Sequence, residues 1–286
     1  MLPLWPQNHY FFVMSTYNEQ AKPKVTTAAL RKMKQNGEKI ACITSYDYTT
    51  ATIVDAAGAD LILVGDSASN VMMGNETTLP ITLDDMITFA KGTVKGAKRA
   101  MVIVDMPFGT YQGDPMSALH SAVKVMRETG AAGVKMEGGK EIRESLEKVL
   151  CAGIPVCGHL GLTPQSVNQF GGYGVRAKGE AEAERLLNDA KMLEEVGCFA
   201  LVLEKIPAQL AARVAREVSI PVIGIGAGSD VDGQIIVVQD MLGMNCGFKP
   251  KFLRVYADMF TAMSGAIGQY VSDVKDVTFP NANEQY

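Results

Sequence analysis

Short apolar runs recur along the chain, and several stop on a charged residue. LILVGD closes on Asp66, MVIVD on Asp105, GVKME on Glu137 and FALVLE on Glu204, while IPVCGH closes on His159. The runs are continuous in Val, Ile and Leu rather than alternating. That is the pattern of strands buried on both faces in a parallel sheet. Between them lie stretches with helical spacing and helix end signals. TLDDMITFAKGTVKGA starts at a capping candidate, Thr82, SALHSAVKVMRETG stops at Gly130, and EAERLLNDAKMLEEVG has clear amphipathic spacing.

The strand candidates are KIACITSY, DLILVGD, AMVIVDMPF, AGVKME, IPVCGHL, FALVLE, PVIGIGAG and IIVVQD. Alternation with helices implies βαβ units, and eight of them predict a closed (β/α)8 barrel in the α/β class. A doubly wound open sheet is the alternative, but no G-x-G-x-x-G follows the first strand. A barrel of this type takes about 250 residues, and the chain has 286. Residues 25–286 therefore read as one barrel domain ending in the helix DMFTAMSGAIGQYVSDVKDV. Residues 1–24 read as a disordered extension, in which Met14 is a second candidate start. They lack the basic region and cleavage site of a signal peptide and the arginines of a transit peptide.

Charge and cysteine usage narrow the function classes. The net charge is −4 and no Lys/Arg-rich stripe is present, which argues against nucleic-acid and anionic-membrane partners. No run of about 18 apolar residues suggests a membrane span. The five cysteines form no CxxC pair, and Cys42, Cys151, Cys157 and Cys198 sit in or beside apolar runs. They read as reduced, mostly buried thiols of a cytoplasmic protein.

In a barrel, catalytic groups sit at the C-terminal strand ends. Asp66, Asp105 and Glu137 then arrive from three adjacent strands, and three hard oxygen ligands suit Mg2+. Lys135 shares the face of Glu137 by period-two alternation. A lysine in an apolar strand needs a partner, and a substrate carboxylate is the expected one. Glu204 stands across the barrel and suits general acid/base work. His159 can donate to a ligand or substrate oxygen, or serve structurally. Ser67 offers a hydroxyl beside Asp66, and the glycines of GIGAG (224–228) suit a phosphate or the close approach of a planar ligand.

The segments ITSYDYTTATIVDAAGADLILVGDS, TLPITLDDM, DMPFGTY, VKMEGG, PVCGHLGLTPQSVNQFGGYGVRAKG, LVLEKIP and PVIGIGAG together closely resemble the ketopantoate hydroxymethyltransferase family, from about residue 25 to about residue 270. HLGLTPQSVNQFGGYGVRAKG carries most of the specificity. The resemblance implies a barrel of the phosphoenolpyruvate/pyruvate type that transfers a hydroxymethyl group from 5,10-methylenetetrahydrofolate to 3-methyl-2-oxobutanoate through a Mg2+-stabilised enolate. The product is ketopantoate, on the route to pantothenate and coenzyme A, and the assembly is a homodecamer. It further implies Asp66, Asp105 and Glu137 at the metal, Asp66, Ser67, Asp105 and Lys135 at the 2-oxo acid, and Glu204 as proton acceptor. The chain departs from the pattern in its N-terminal extension, in GTYQGD and in NCGFKPKF, which concerns loop shape and folate contacts. Two alternatives stay open. One is a Mg2+-dependent C–C lyase of the isocitrate lyase/phosphoenolpyruvate mutase type, which needs a KKCGH-like loop that is absent. The other is a non-catalytic barrel that binds oxo acid or folate.

Overall fold

Along each strand, successive residues enter two different apolar layers, one inside a barrel and one beneath its helices. The computed structural model describes residues 23–245, 247 and 249–286, so most of the segment expected to be a disordered extension lies outside the described residues. The strands are, in chain order, β1 (Ile40–Thr44), β2 (Leu61–Val64), β3 (Met101–Asp105), β4 (Gly133–Glu137), β5 (Val156–Gly161), β6 (Ala200–Glu204), β7 (Val222–Ile225) and β8 (Gly233–Ile236). Each pairs in parallel with the next, and β8 closes on β1 with Ile40 opposite Gly233.

The inner layer holds Ile40, Cys42, Leu61, Leu63, Met101, Ile103, Cys157, Ala200, Val202, Ile223 and Ile235. The outer layer takes the intervening residues, among them Ile62, Val64, Val102, Val104, Val134, Met136, Leu201 and Leu203. Burial on both faces is why the strands read as unbroken apolar runs. The helix α1 (Thr27–Gln35) precedes β1 and sits at the N-terminal end of the barrel. Its Leu30 and the preceding Val25 join the inner layer and stop the barrel from below.

The helices against the outer layer follow their sequence signals. They include α2 (Tyr48–Ala56), the short α3 (Ala68–Val71), α4 (Leu83–Gly96), α5 (Pro115–Thr129), α6 (Arg143–Cys151), the short α7 (Val167–Phe170), α8 (Glu180–Val196) and α9 (Ala208–Glu217). Thr82 caps α4 in a reciprocal box: its Oγ1 accepts from Asp85 N at 3.2 Å, and Asp85 Oδ2 accepts from Thr82 N at 3.0 Å. Asp114 caps α5 with Pro115 in the first turn, and Gly130 ends it in the left-handed region at φ 71°. Leu146 of α6 is fully buried against the barrel. Truncating such a leucine to alanine costs about 2–5 kcal/mol.

One expected strand needs correction, and two other expectations gain detail. The last strand is Gly233–Ile236 rather than IIVVQD. Gly233 is needed there because a Cβ would meet Ile40 O at 2.4 Å. The second half of IIVVQD turns into α10 (Val238–Met241), with Val238 N donating to Thr44 Oγ1 at 3.1 Å. The long loop after β5 is not featureless but carries a 3-10 turn at Pro164–Ser166 and then α7. Cys151 is exposed, while Cys42, Cys157 and Cys198 are buried; Cys246 lies outside the described residues. The C-terminal helix forms as expected, as α11 (Met259–Lys275), but none of its residues is buried. Among the described residues, no helix is long and apolar enough to cross a membrane.

Candidate active site

The inward positions that are apolar through the barrel become charged in its last layer. Asp105 follows Met101 and Ile103, Lys135 and Glu137 follow Gly133, His159 follows Cys157, and Glu204 follows Ala200 and Val202. Register then sets neighbours: Asp105 lies opposite Lys135, and Glu137 opposite His159. Asp66 arrives differently, two residues beyond the end of β2. Its backbone N–H donates to Asp105 Oδ2 at 2.9 Å, which folds the strand exit inward. Gly65 permits this exit, since a Cβ there would sit 2.8 Å from Ser67 Oγ. Ser67 Oγ is in turn 2.8 Å from the hydroxyl of the buried Tyr46.

Lys135 is the hub of the cluster. Its Nζ lies 3.1 Å from Asp105 Oδ1 and 3.3 Å from Glu137 Oε1. His159 Nδ1 is 3.0 Å from Lys135 Nζ and 3.1 Å from Glu137 Oε1. One nitrogen cannot accept from the lysine and donate to the glutamate at once, so the protonation state of His159 selects its partner. On the other side of the ring, Nε2 is 3.4 Å from Glu204 Oε2. The Glu204 side chain is 16% exposed, against 3–4% for Asp105, Lys135, Glu137 and His159. Glu204 is therefore the carboxylate of this set that a bound molecule can reach most directly.

The electrostatics follow from burial and proximity. Burial, then Glu137 and Asp105, hold the Asp66 carboxyl well above its ordinary range. Burial also raises Asp105, with Lys135 opposing. Burial alone would discharge Lys135, but Asp105, Glu137 and Asp66 outweigh it and push the ammonium well up. Glu137 loses solvent too, yet Lys135 and His159 bring it down to about 2. For His159, burial and Lys135 pull down while Glu137 and Glu204 pull up, leaving it at about 8. A protonated ring would donate from Nδ1 to Glu137 Oε1, while Nε2 has no hydrogen-bond partner among the described residues.

Two of the three buried carboxylates thus contact Lys135, and Asp66 is the acid left without a cation in contact. A hard divalent cation fits this donor set and its surplus negative charge. Among the described residues, however, no three His, Cys, Asp or Glu side chains already form a cage for a metal. Asp105 and Glu137 face Lys135, and Asp66 faces an amide from the loop after β5.

That amide belongs to Gln165, which the strand-end reading did not single out. It lies within the most specific segment of the sequence, but it comes from the 3-10 turn after β5 and follows no strand periodicity. Tyr111, buried in the GTYQGD loop, was missed for the same reason; its hydroxyl accepts from Glu137 N at 3.0 Å. The loop is tied beside Glu204: Leu162 N donates to Glu204 O at 2.8 Å, Arg176 N to Lys205 O at 2.9 Å, and Lys205 Nζ to Tyr173 O. In GIGAG, packing accounts for two glycines. Gly226 has φ 61° under the ring of Phe252, and at Gly228, φ 85°, a Cβ would meet Ala208 Cβ at 2.5 Å.

Comparison with known proteins places this geometry in a family. Residues 24–282 match the family model of ketopantoate hydroxymethyltransferase. The chain is 64% identical over 273 residues to the 3-methyl-2-oxobutanoate hydroxymethyltransferase of Bacteroides fragilis, covering 96% of this chain and all of that one. It is 63% identical over the same extents to the enzymes of that name from Bacteroides thetaiotaomicron and Flavobacterium johnsoniae. Among solved structures, a phosphonopyruvate hydrolase complexed with oxalate and Mg++ superposes with TM-score 0.57 at 13% identity, over 90% of this chain and 92% of that one. A 2,3-dimethylmalate lyase of the PEP mutase/isocitrate lyase superfamily gives 0.55 at 16% identity, over 91% of each. At such identity these two establish the barrel type alone. The matched family model and the identity sustained over nearly the whole length make the chain a member of the ketopantoate hydroxymethyltransferase family.

Proposed function

We propose that the protein transfers a hydroxymethyl group from 5,10-methylenetetrahydrofolate to 3-methyl-2-oxobutanoate, giving ketopantoate for pantothenate and coenzyme A synthesis. Overall, the C3–H bond of the oxo acid breaks, C3 bonds to the one-carbon unit, water supplies the hydroxyl and tetrahydrofolate leaves. The observation that carries this reading is the separation of one reachable carboxylate, Glu204, from the buried acids around Lys135.

Glu204 takes the C3 proton. His159, between Glu137 and Glu204, holds the base in place. Lys135 and the Ser67 hydroxyl anchor the oxo acid, and Asp66 and Asp105 line its site. Asp66, Asp105 and Glu137 would hold Mg2+. When bound, such a cation polarises a carbonyl and so acidifies the neighbouring C–H. A single positioned base is worth about 10²–10⁴ in rate. The apolar layer beneath Lys135 limits water on that side, which strengthens the charge interactions above it.

The protein is further proposed to be cytoplasmic and a homo-oligomer, a decamer by its family. The four free cysteines among the described residues agree with a reducing compartment. The α11 helix agrees with an oligomer: Phe260, Met263, Ile267, Tyr270 and Val274 are exposed at three- and four-residue spacing. That is an apolar stripe suited to helix–helix packing.

The test is ketopantoate formation from the two substrates by the full-length protein, with and without EDTA. Product that disappears with EDTA and returns with Mg2+ is expected. Absence of product in Mg2+ would overturn the reading, and full activity in EDTA would overturn the cation assignment.

A further inference from the structure

Gln165 is 5% exposed, and every hydrogen-bonding group it owns toward the site is used. Its backbone N–H donates to Glu137 Oε2 at 3.0 Å. Its Nε2 donates to Asp66 Oδ2 at 3.0 Å and to Met106 O at 2.9 Å. Its Oε1 accepts from the Tyr111 hydroxyl at 2.7 Å and from Gln112 Nε2 at 2.9 Å. Two acceptors on one side and two donors on the other fix the amide in one orientation, so the NH2 group has to face Asp66. Tyr111 is fixed as well: its hydroxyl accepts from Glu137 N, and Ser145 Oγ donates to its backbone carbonyl at 2.7 Å.

The arrangement has a further property. Gln165 touches the carboxylates of Asp66 and Glu137, which come from different strands. It binds one oxygen of each. Among the described residues, Asp66 Oδ1 accepts no hydrogen bond, and Glu137 Oε1 faces only Lys135 and His159. Two neutral donors of one residue, the backbone N–H on Glu137 and the side-chain amide on Asp66, fix the spacing of the acids without neutralising either. Lysine or arginine in this place would compete with a cation for the same charge.

We propose that Gln165 is a positioning residue that aligns Asp66 and Glu137 to receive the divalent cation, with Tyr111 locking its amide. The inference rests on the cation assignment in the proposed function. Gln165 acts through the two acids and touches no reacting atom.

The test measures Mn2+ binding to the full-length protein by water-proton relaxation, beside the Mg2+ dependence of the rate, for wild type, Gln165→Met and Tyr111→Phe. Gln165→Met keeps the length of the side chain and removes the side-chain amide and its hold on Asp66, while the backbone N–H on Glu137 remains. Its Kd for Mn2+ is expected to rise tenfold or more, and its rate to recover toward wild type at saturating Mg2+. Excess cation does not repair a misfolded site, so recovery separates alignment from general damage. Tyr111→Phe is expected to raise the Kd in the same direction by less, and it supplies the answer should Gln165→Met fold poorly. Mn2+ affinity within twofold of wild type in the folded variants, or a loss that excess Mg2+ leaves unchanged, overturns the role of Gln165 alone. Failure of the wild type to bind Mn2+ overturns the cation assignment and, with it, this inference.

Discussion

The backbone amide of Asp66 donates to the carboxylate of Asp105, Oδ2, at 2.9 Å. One bond thereby joins the exit of β2 to the end of β3. The other oxygen of Asp105 faces Lys135 at 3.1 Å. Removing this carboxylate leaves both a buried N–H and a buried ammonium short of a partner. Asp105→Ala is therefore expected to weaken Mg2+ and oxo-acid binding and to lower stability by about 3–5 kcal/mol, the cost of breaking a buried pair. Calorimetric titration and urea unfolding measure the two effects; unchanged cation affinity would remove Asp105 from the ligand set.

Glu204→Gln keeps the shape of the side chain and removes its basicity. Exchange of the oxo acid's C3 hydrogen into D2O, followed by NMR, is expected to slow by about 10²–10⁴, with oxo-acid affinity little changed. Near-normal exchange would exclude Glu204 as the base.

Gly65→Ala places a methyl group 2.8 Å from Ser67 Oγ, where no Cβ normally sits. The serine has to leave its contact with Tyr46. The KM for the oxo acid is expected to rise more than kcat falls. If the two parameters stay at wild-type values, the Ser67 hydroxyl has no part in holding the substrate.

Thr82→Ala removes the cap of α4, a hydroxyl that bonds only within the capping box, and is expected to cost about 1 kcal/mol without changing kcat. The hydroxyl and the amide of Thr82 hold the Asp85 carboxyl below its ordinary range. A carboxyl lowered on folding stabilises the protein above its unfolded-state pKa and loses that contribution as pH falls through the folded value. The deficit of Thr82→Ala is thus expected to shrink below about pH 4. Urea unfolding at neutral and acidic pH tests the sign.

Ile267 is 60% exposed at the middle of the α11 stripe. Ile267→Asp is expected to lower the mass measured by light scattering while the barrel's circular dichroism persists. An unchanged mass would show that copies associate through another face.

The acids were legible because strand periodicity carries chemistry as well as apolar packing. Asp105, Lys135, Glu137, His159 and Glu204 each continue an inward series begun by smaller or apolar residues, so position along the run decides their meeting. Gln165 and Tyr111 were not legible, because loops deliver them and loop backbones have no fixed period. β8 was misread for a related reason. IIVVQD is apolar enough for a strand, but Gly233, the residue that lets β8 approach β1, lies before that run.

Leu30 and Val25 plug the barrel at its N-terminal end. Under the proposed function, ligands are expected to approach from the opposite end, where the C-terminal strand ends carry Glu204. The small oxo acid is then expected to settle beside Lys135 before the bulkier pterin-bearing cosubstrate binds over it, and tetrahydrofolate to depart before ketopantoate. Product-inhibition kinetics should show this sequence, with ketopantoate competing against the oxo acid and not against the folate.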